Sequence, residues 1–278
     1  MKPPKVSVVV ACYNQAPYLK ECLDSILAQT FRDFEVVVVN DGSTDNSEEI
    51  IKKIHKKCPF IHLINQKNQG VVFTRNNAIK HAKGTYIFPV DADDKITPTV
   101  LEKAVSILDK NTDVSIVGGQ TEFFGIRTGK FILPPYRFPD ILGANCLVCS
   151  CMFRRSDWQK VGGYNPNMIH GWEDYDFWLS LIELGCKVYQ FDDVFLYYRQ
   201  LPKTRSTVLT QNYQKKTVEQ LIQNHSKLYK KYPKYKNQLL NNTVATKKVK
   251  KILTRTLCLI VPIKSWRHKL RDIYRKRG

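Results

Sequence analysis

FEVVVVNDGSTDNSE, residues 34–48, decides the fold: a β-branched run closes on Asn40 and Asp41, turns through Gly42, Ser43 and Thr44, and enters a helical pattern at Asp45. A strand apolar at consecutive positions must be covered on both faces. The same unit recurs on either side. VSVVVAC at 6–12 precedes a helix from about Pro17 to Ala28, and the helix after Asp45 runs to about Lys57. IHLIN at 61–65 precedes a helix near 71–82, TYIFPVD at 85–91 one near 98–109, and VSIVGG at 114–119 closes the series. This βαβαβαβαβ order predicts an α/β fold with a mostly parallel sheet flanked by helices.

Beyond Gly119 the alternation breaks. A Gly/Pro-punctuated stretch at 120–145 leads to LVCSCMFRR, a short helix, the Gly162-Gly163 turn, a helix near 172–184 and strands near 187–191 and 195–199. Residues 1–205 thus read as one domain with halves at 1–119 and 120–205, and 206–278 as a basic helical extension, helical at 212–232 and amphipathic at 246–276.

The formal net charge of +19 suggests a nucleic-acid binder until it is divided along the chain. Residues 1–200 hold 23 Lys and Arg against 23 Asp and Glu, whereas 201–278 hold 21 against 2. A neutral body with a basic end fits an anchored enzyme better than a charge-tracking groove, which would spread its cations over the fold. The start, MKPPKVSVVVACYN, has no signal-peptide pattern, and no stretch approaches the roughly 20 apolar residues of a membrane span. A cytoplasmic location is expected. Eight cysteines without framework or zinc-ligand spacing read as reduced thiols.

Ligands of open α/β sheets bind beyond the carboxyl ends of the strands. Three acidic stations fall at strand ends or helix starts: NDGSTD at 40–45, DADD at 91–94 and GWEDYD at 171–176. Asp45 and Glu48 have capping-box spacing. Asp41 has no such structural task and could accept an N–H from a uracil or guanine edge. Arg75 lies on the helix after KNQG at 67–70, where it is either a solvated charge or a group that reaches a phosphate or base oxygen. Asp91 and Asp93 sit one strand period apart and offer hard oxygens suited to manganese or magnesium beside a diphosphate. Glu173 and Asp174 occupy a first helical turn, where the dipole favours acids and a carboxylate could act as general base.

In this order and at these separations, VSVVVACYN, VVNDGSTD, KNQGVVFTRNNAI, DADD, VGGYN and GWEDYDFW resemble family 2 glycosyltransferases of the GT-A fold, over about residues 5–200. The resemblance implies a GT-A, Rossmann-like domain. It implies that Ala11, Tyr13, Asp41, Asn68, Arg75 and Asp91 line the nucleotide-sugar site, with Ala92 beside them. Asp93 would hold a divalent cation, Mn2+ or Mg2+. Asp174 would be the catalytic base, supported by Glu173. Arg199, Lys203 and Arg205, in YYRQLPKTRS, fall where the family often has a loop that closes over the donor phosphates. The implied enzyme is inverting and metal-dependent. Its donor is a nucleotide-sugar, UDP ahead of GDP or dTDP. Its acceptor is a glycan or lipid-linked glycan, as in cell-surface polysaccharide or lipopolysaccharide assembly. The family's processive Q-x-x-R-W motif does not occur in the sequence, which favours transfer of one sugar or a few.

Lys247 to Arg277 contain 12 Lys and Arg and one acid, interleaved with Leu253, Leu257, Ile260, Trp266, Leu270 and Ile273. That pattern suits an interfacial anchor on an anionic membrane at 246–278, and a peripheral position. The alternative is a helix pair docked on the domain or in a dimer. Two rival functions stay open on residues alone. One is a metal-dependent nucleotidyltransferase. The other is a nucleic-acid-binding protein that uses the basic region with Tyr229, Tyr232, Tyr235 and Trp266.

Overall fold

The computed structural model describes residues 2–202 and 205–241, excepting the side chains of 205–207, 210 and 211. Strands β1 (Val6–Cys12), β2 (Phe34–Asp41), β3 (Ile61–Gln66) and β4 (Tyr86–Asp91) alternate with helices α1 (Ala16–Leu27), α2 (Ser47–Lys57) and α3 (Val71–His81). They lie side by side in the order β3-β2-β1-β4, every pairing parallel. All of β2 is buried. Alternation sends Val8, Val10, Val36 and Val38 to one face with Leu19 and Leu23 of α1, and Val9, Val37 and Val39 to the other with Val72 and Ile79 of α3. Each fully buried valine contributes roughly 1.5–3 kcal/mol, so a register slip of one residue is strongly disfavoured.

Past β4 the sheet becomes mixed. A two-residue strand β5 (Lys95–Ile96) and helix α4 (Val100–Lys110) lead into β6 (Val114–Gly125), which turns back as β7 (Gly129–Phe131). The expected fifth strand, β6, does not lie next to β4. Between them runs β8 (Met152–Arg154), antiparallel to both. The Arg154 guanidinium locks this insertion by donating to the carbonyls of Val114 (3.0 Å), Leu108 (2.7 Å) and Asn111 (2.9 Å). The two strands expected at 187–199 are one, β9 (Lys187–Gln200), parallel to β6 with register shifts opposite Gly118, Gln120 and Thr121. Asp192 and Asp193 break the apolar alternation, and the irregularity absorbs them.

Helices α5 (Arg155–Val161), α6 (Glu173–Glu183), α7 (Arg205–Asn224) and α8 (Ser226–Lys231) follow in the second half, with a further helical stretch at 233–241. Val218, Leu221, Tyr229 and Leu239 share a core with Ile116, Phe153 and Trp178. The described part of the expected extension is therefore packed into the sheet domain, because its helices carry an apolar face as well as cations. Tyr229 is buried and donates to the Leu142 carbonyl, Tyr232 meets Phe138 edge-on, and Tyr235 donates to Asp140, so these rings serve packing. The amphipathic segment 246–278 lies outside the described residues. Among the described residues no helix is long and apolar enough to cross a membrane. Seven described cysteines are free thiols.

Candidate active site

Three parallel strands end together, with Ala11 in register with both Val39 and Asp91. Beyond that edge opens a cleft of about 680 Å³. From the first half it is lined by Ala11, Tyr13, Asp41, Asn68, Arg75 and the Asp91–Asp94 turn; α6 contributes Glu173 and Asp174.

Two loops are stitched to one another at the rim of the cleft. Asn14, at φ 52°, accepts from the Thr44 amide (2.8 Å), and its own amide donates to Ser43 Oγ (2.9 Å). The expected capping box is replaced by a cross-link. Asp45 accepts from the amides of Ser47 (3.0 Å) and Ala16 (2.9 Å), joining the starts of α2 and α1, while Glu48 turns to Lys52 and Asn65. Gly42, at φ +72°, passes so close to the 67–70 loop that a Cβ would lie 2.8 Å from the Asn68 amide nitrogen.

Asp41 does have a structural task. Its buried carboxylate accepts from the Gln66 side chain (2.7 Å) and from the amides of Gln69 (2.9 Å) and Gly70 (2.9 Å), ordering the loop that carries Asn68 and opens α3. Tyr13 stands at the rim, 47% exposed.

Arg75 is neither a solvated charge nor aimed at open cleft. Its side chain is 4% exposed and bridges two acids, donating to Asp91 Oδ1 (2.6 Å) and Glu173 Oε1 (3.0 Å). The end of β4 is thereby tied to the start of α6. Beside it, the Cys149 thiol lies 3.5 Å from Asp91 Oδ2.

In the acidic turn, burial and then the Asp91 charge push the Asp93 carboxyl up to about 6. Asp94 is fully buried and accepts from the Arg199 amide (2.8 Å). Its other oxygen has no hydrogen-bond partner among the described residues, and burial beside Asp93 and Asp91 raises its pKa well above the ordinary value. Arg199 is not brought into the cleft. Its Nε donates to the Asp93 carbonyl (2.7 Å), its Nη2 pairs with Glu21, and its guanidinium lies over Phe124 and Tyr18. That satisfies the cation behind the turn. Lys203 and the Arg205 side chain lie outside the described residues.

Asp174 sits partly exposed in the first turn of α6, its Oδ1 accepting from the Tyr175 amide (2.8 Å). Burial and then the Glu173 charge raise it to about 6, against the opposing pull of Arg75. The chain enters α6 through Gly171 at φ 97° and Trp172 at φ 62°, a left-handed conformation that costs a bulky residue energy and aims the first turn at the cleft. The third acid, Asp176, points away. It is buried 3.2 Å from His225 Nε2 and accepts from Asn224 (2.6 Å); Glu183 meets His225 Nδ1 at 2.8 Å. Burial opposes a charge on His225, but the two carboxylates outweigh it and raise its pKa to about 9.

Sequence reasoning missed this clamp, since no local spacing links residues 176 and 225. It also missed the apolar part of the cleft lining, Leu133, Leu147, Val148, Leu196 and the ring of Tyr198. Leu133, Leu147 and Val148 lie in loops that carry no period, and alternation along β9 sets Leu196 and Tyr198 on one face without telling what that face meets.

Among the described residues no group of three or more His, Cys, Asp or Glu side chains is arranged to hold a metal ion. Asp91 and Asp93 nevertheless supply hard oxygens on one turn, and no basic side chain among the described residues forms an ion pair with Asp93. Mutual repulsion in this turn is what a cation relieves. The donor set fits a divalent ion completed by water and phosphate oxygens.

Chondroitin synthase of Pasteurella multocida (strain Pm70) is 32% identical over 187 residues, which make up 66% of this chain and 19% of the synthase. The chain thus spans about a fifth of that relative's length. TarS of S. aureus in complex with UDP superposes with a TM-score of 0.59 at 25% identity, covering 71% of this chain and 61% of that one. The mannosyltransferase PcManGT from Pyrobaculum calidifontis, in complex with GDP-Man and Mn2+, gives 0.63 at 20% identity, covering 98% of this chain and 85% of that one. The profile of Glycosyl transferase family 2 matches residues 7–156, more than half of the chain. On that match, and with the GT-A fold shared with these structures, the chain belongs to Glycosyl transferase family 2.

Proposed function

We propose that the protein transfers a sugar from a UDP-linked donor to a hydroxyl of a glycan or lipid-linked glycan, inverting the anomeric centre. The observation that carries this reading is the single cleft shared by Asp41 and Asp91 at strand ends, Asp93 in the turn after β4 and Asp174 at the start of α6. TarS with UDP supports the nucleotide, the mannosyltransferase with GDP-Man and Mn2+ supports a nucleotide-sugar and metal, and chondroitin synthase supports a polysaccharide product.

In this reading Ala11, Tyr13 and Asn68 receive the nucleoside, and Asp41 holds the loop that presents Asn68. Asp93 would hold Mn2+ or Mg2+, while Asp91 stays paired with Arg75. When bound there, such an ion would supply Lewis-acid stabilisation of the negative charge on the departing diphosphate. Asp174 takes the proton of the acceptor hydroxyl, which attacks from the face opposite the leaving group. A base near 6 is ionised at neutral pH yet more basic than an ordinary carboxylate. Arg75 keeps Glu173 in an ion pair and fixes α6 against β4.

The basic segment 246–278 anchors the enzyme peripherally at the cytoplasmic face of a membrane, near a lipid-linked acceptor in polysaccharide or lipopolysaccharide assembly. The donor site is tested by a thermal-shift screen of UDP, GDP, dTDP and CDP with and without Mn2+. A Mn2+-dependent shift with UDP, lost in Asp93→Ala, is expected; at a hundredfold excess over Kd it corresponds to about 2.7 kcal/mol. No shift with any nucleotide contradicts the reading.

A further inference from the structure

A second cavity, of about 350 Å³, lies between the 167–171 loop and α7. It is lined by Asn167, His170, Lys216, Glu219, Gln220 and Gln223 among others, and it shares His170 and Gly171 with the cleft that contains Asp174. Its α7 residues follow helical spacing, Lys216 to Glu219 and Gln220 to Gln223, so they form one face.

This wall is fixed in place. Asn167 and Asn224 exchange side-chain hydrogen bonds (3.0 and 3.1 Å), and Asn224 also donates to Asp176 on α6 (2.6 Å). Thr217 Oγ1 donates to the His170 carbonyl (3.2 Å), and the His170 ring stacks on Tyr213 at 4.1 Å and 6°. The groove is thus held against the same helix that carries Asp174.

Its chemistry is selective. Amides, an ammonium group and a carboxylate, with exposed Lys216 offset by exposed Glu219, present many hydrogen-bonding groups at almost no net charge. A phosphodiester chain would meet Glu219, and among the lining residues a lipid would find one exposed large apolar side chain, Ile169, since Met168 is buried. The matching ligand is a neutral polyhydroxyl chain. Resting on the reading of Asp174 as the base, we propose that this groove is a saccharide subsite. It holds the sugar units attached to the one that presents the reacting hydroxyl, so the preferred acceptor is an oligosaccharide of at least two residues.

The test uses the full-length protein on an array of neutral mono- to hexasaccharides, with UDP and Mn2+ present, beside the double variant Lys216→Ala/Gln223→Ala. Retention by the wild type should rise about tenfold or more from mono- to trisaccharides of one series, the worth of one or two hydrogen bonds, and the variant should lose that length dependence. Equal retention at every length, no retention at all, or an unchanged length dependence in the variant overturns the subsite. A UDP thermal shift on the same preparations reads the donor site separately. Its loss would strike the function reading, while length-dependent retention abolished by the variant would still uphold the groove.

Discussion

At Asp93 and Asp174 burial and a neighbouring carboxylate act in the same direction, holding protons up to about 6. Each binds its proton more tightly folded than unfolded. Its contribution to stability is complete below about pH 4 and is lost as pH rises through about 6. Asp174→Asn should therefore unfold in urea with stability raised by roughly 1–2 kcal/mol at pH 8, while transfer falls by about 10²–10⁴. A loss of both would argue for a structural role. The wild-type rate should decline on the acid side with an apparent pKa of about 6, read from kcat/KM against pH. Arg75→Gln leaves Asp91 and Glu173 without their shared buried cation, and should cost about 3–5 kcal/mol in a urea titration. The positions of these residues were legible because strand ends and helix starts leave a pattern in the chain. Their partners were not, since Arg75 meets Glu173 across 98 positions.

Helix α6 is held from both ends, by Arg75 at its start and by His225 against Asp176 and Glu183 further along. His225 is raised to about 9, so its contribution is fully present below its unfolded value near 6.5 and disappears as pH rises through about 9. The groups facing it are Asp176, Glu183 and, through Asp176, Asn224. His225→Leu should lower stability by about 3 kcal/mol at pH 6.5, with the gap to wild type closing towards pH 10 in paired denaturation curves. At this scale the first half was readable because long apolar runs report burial on both faces. Strand β8 was not, since three residues carry no period and its place between β4 and β6 depends on Arg154 reaching carbonyls 40 or more positions away.

For the molecule as a whole, the split between a neutral body and a basic end was legible from charge alone, whereas the docking of α7 and α8 was concealed by it. Val218, Leu221 and Tyr229 sit in the core while Lys215, Lys216, Lys227 and Lys230 face water. Deleting 246–278 should abolish salt-sensitive binding to anionic liposomes and leave the fold intact, as judged by co-sedimentation and circular dichroism. Unchanged binding would move the anchor elsewhere. The central claim is the reaction, and the most direct measurement follows what leaves a nucleotide-sugar given to the full-length protein with Mn2+ and a cell-envelope glycan extract. Release of nucleoside diphosphate matched by sugar gained in the glycan, and absent from Asp174→Asn, is the predicted result. Pyrophosphate release from a nucleoside triphosphate, or equal turnover by Asp174→Asn, would contradict it.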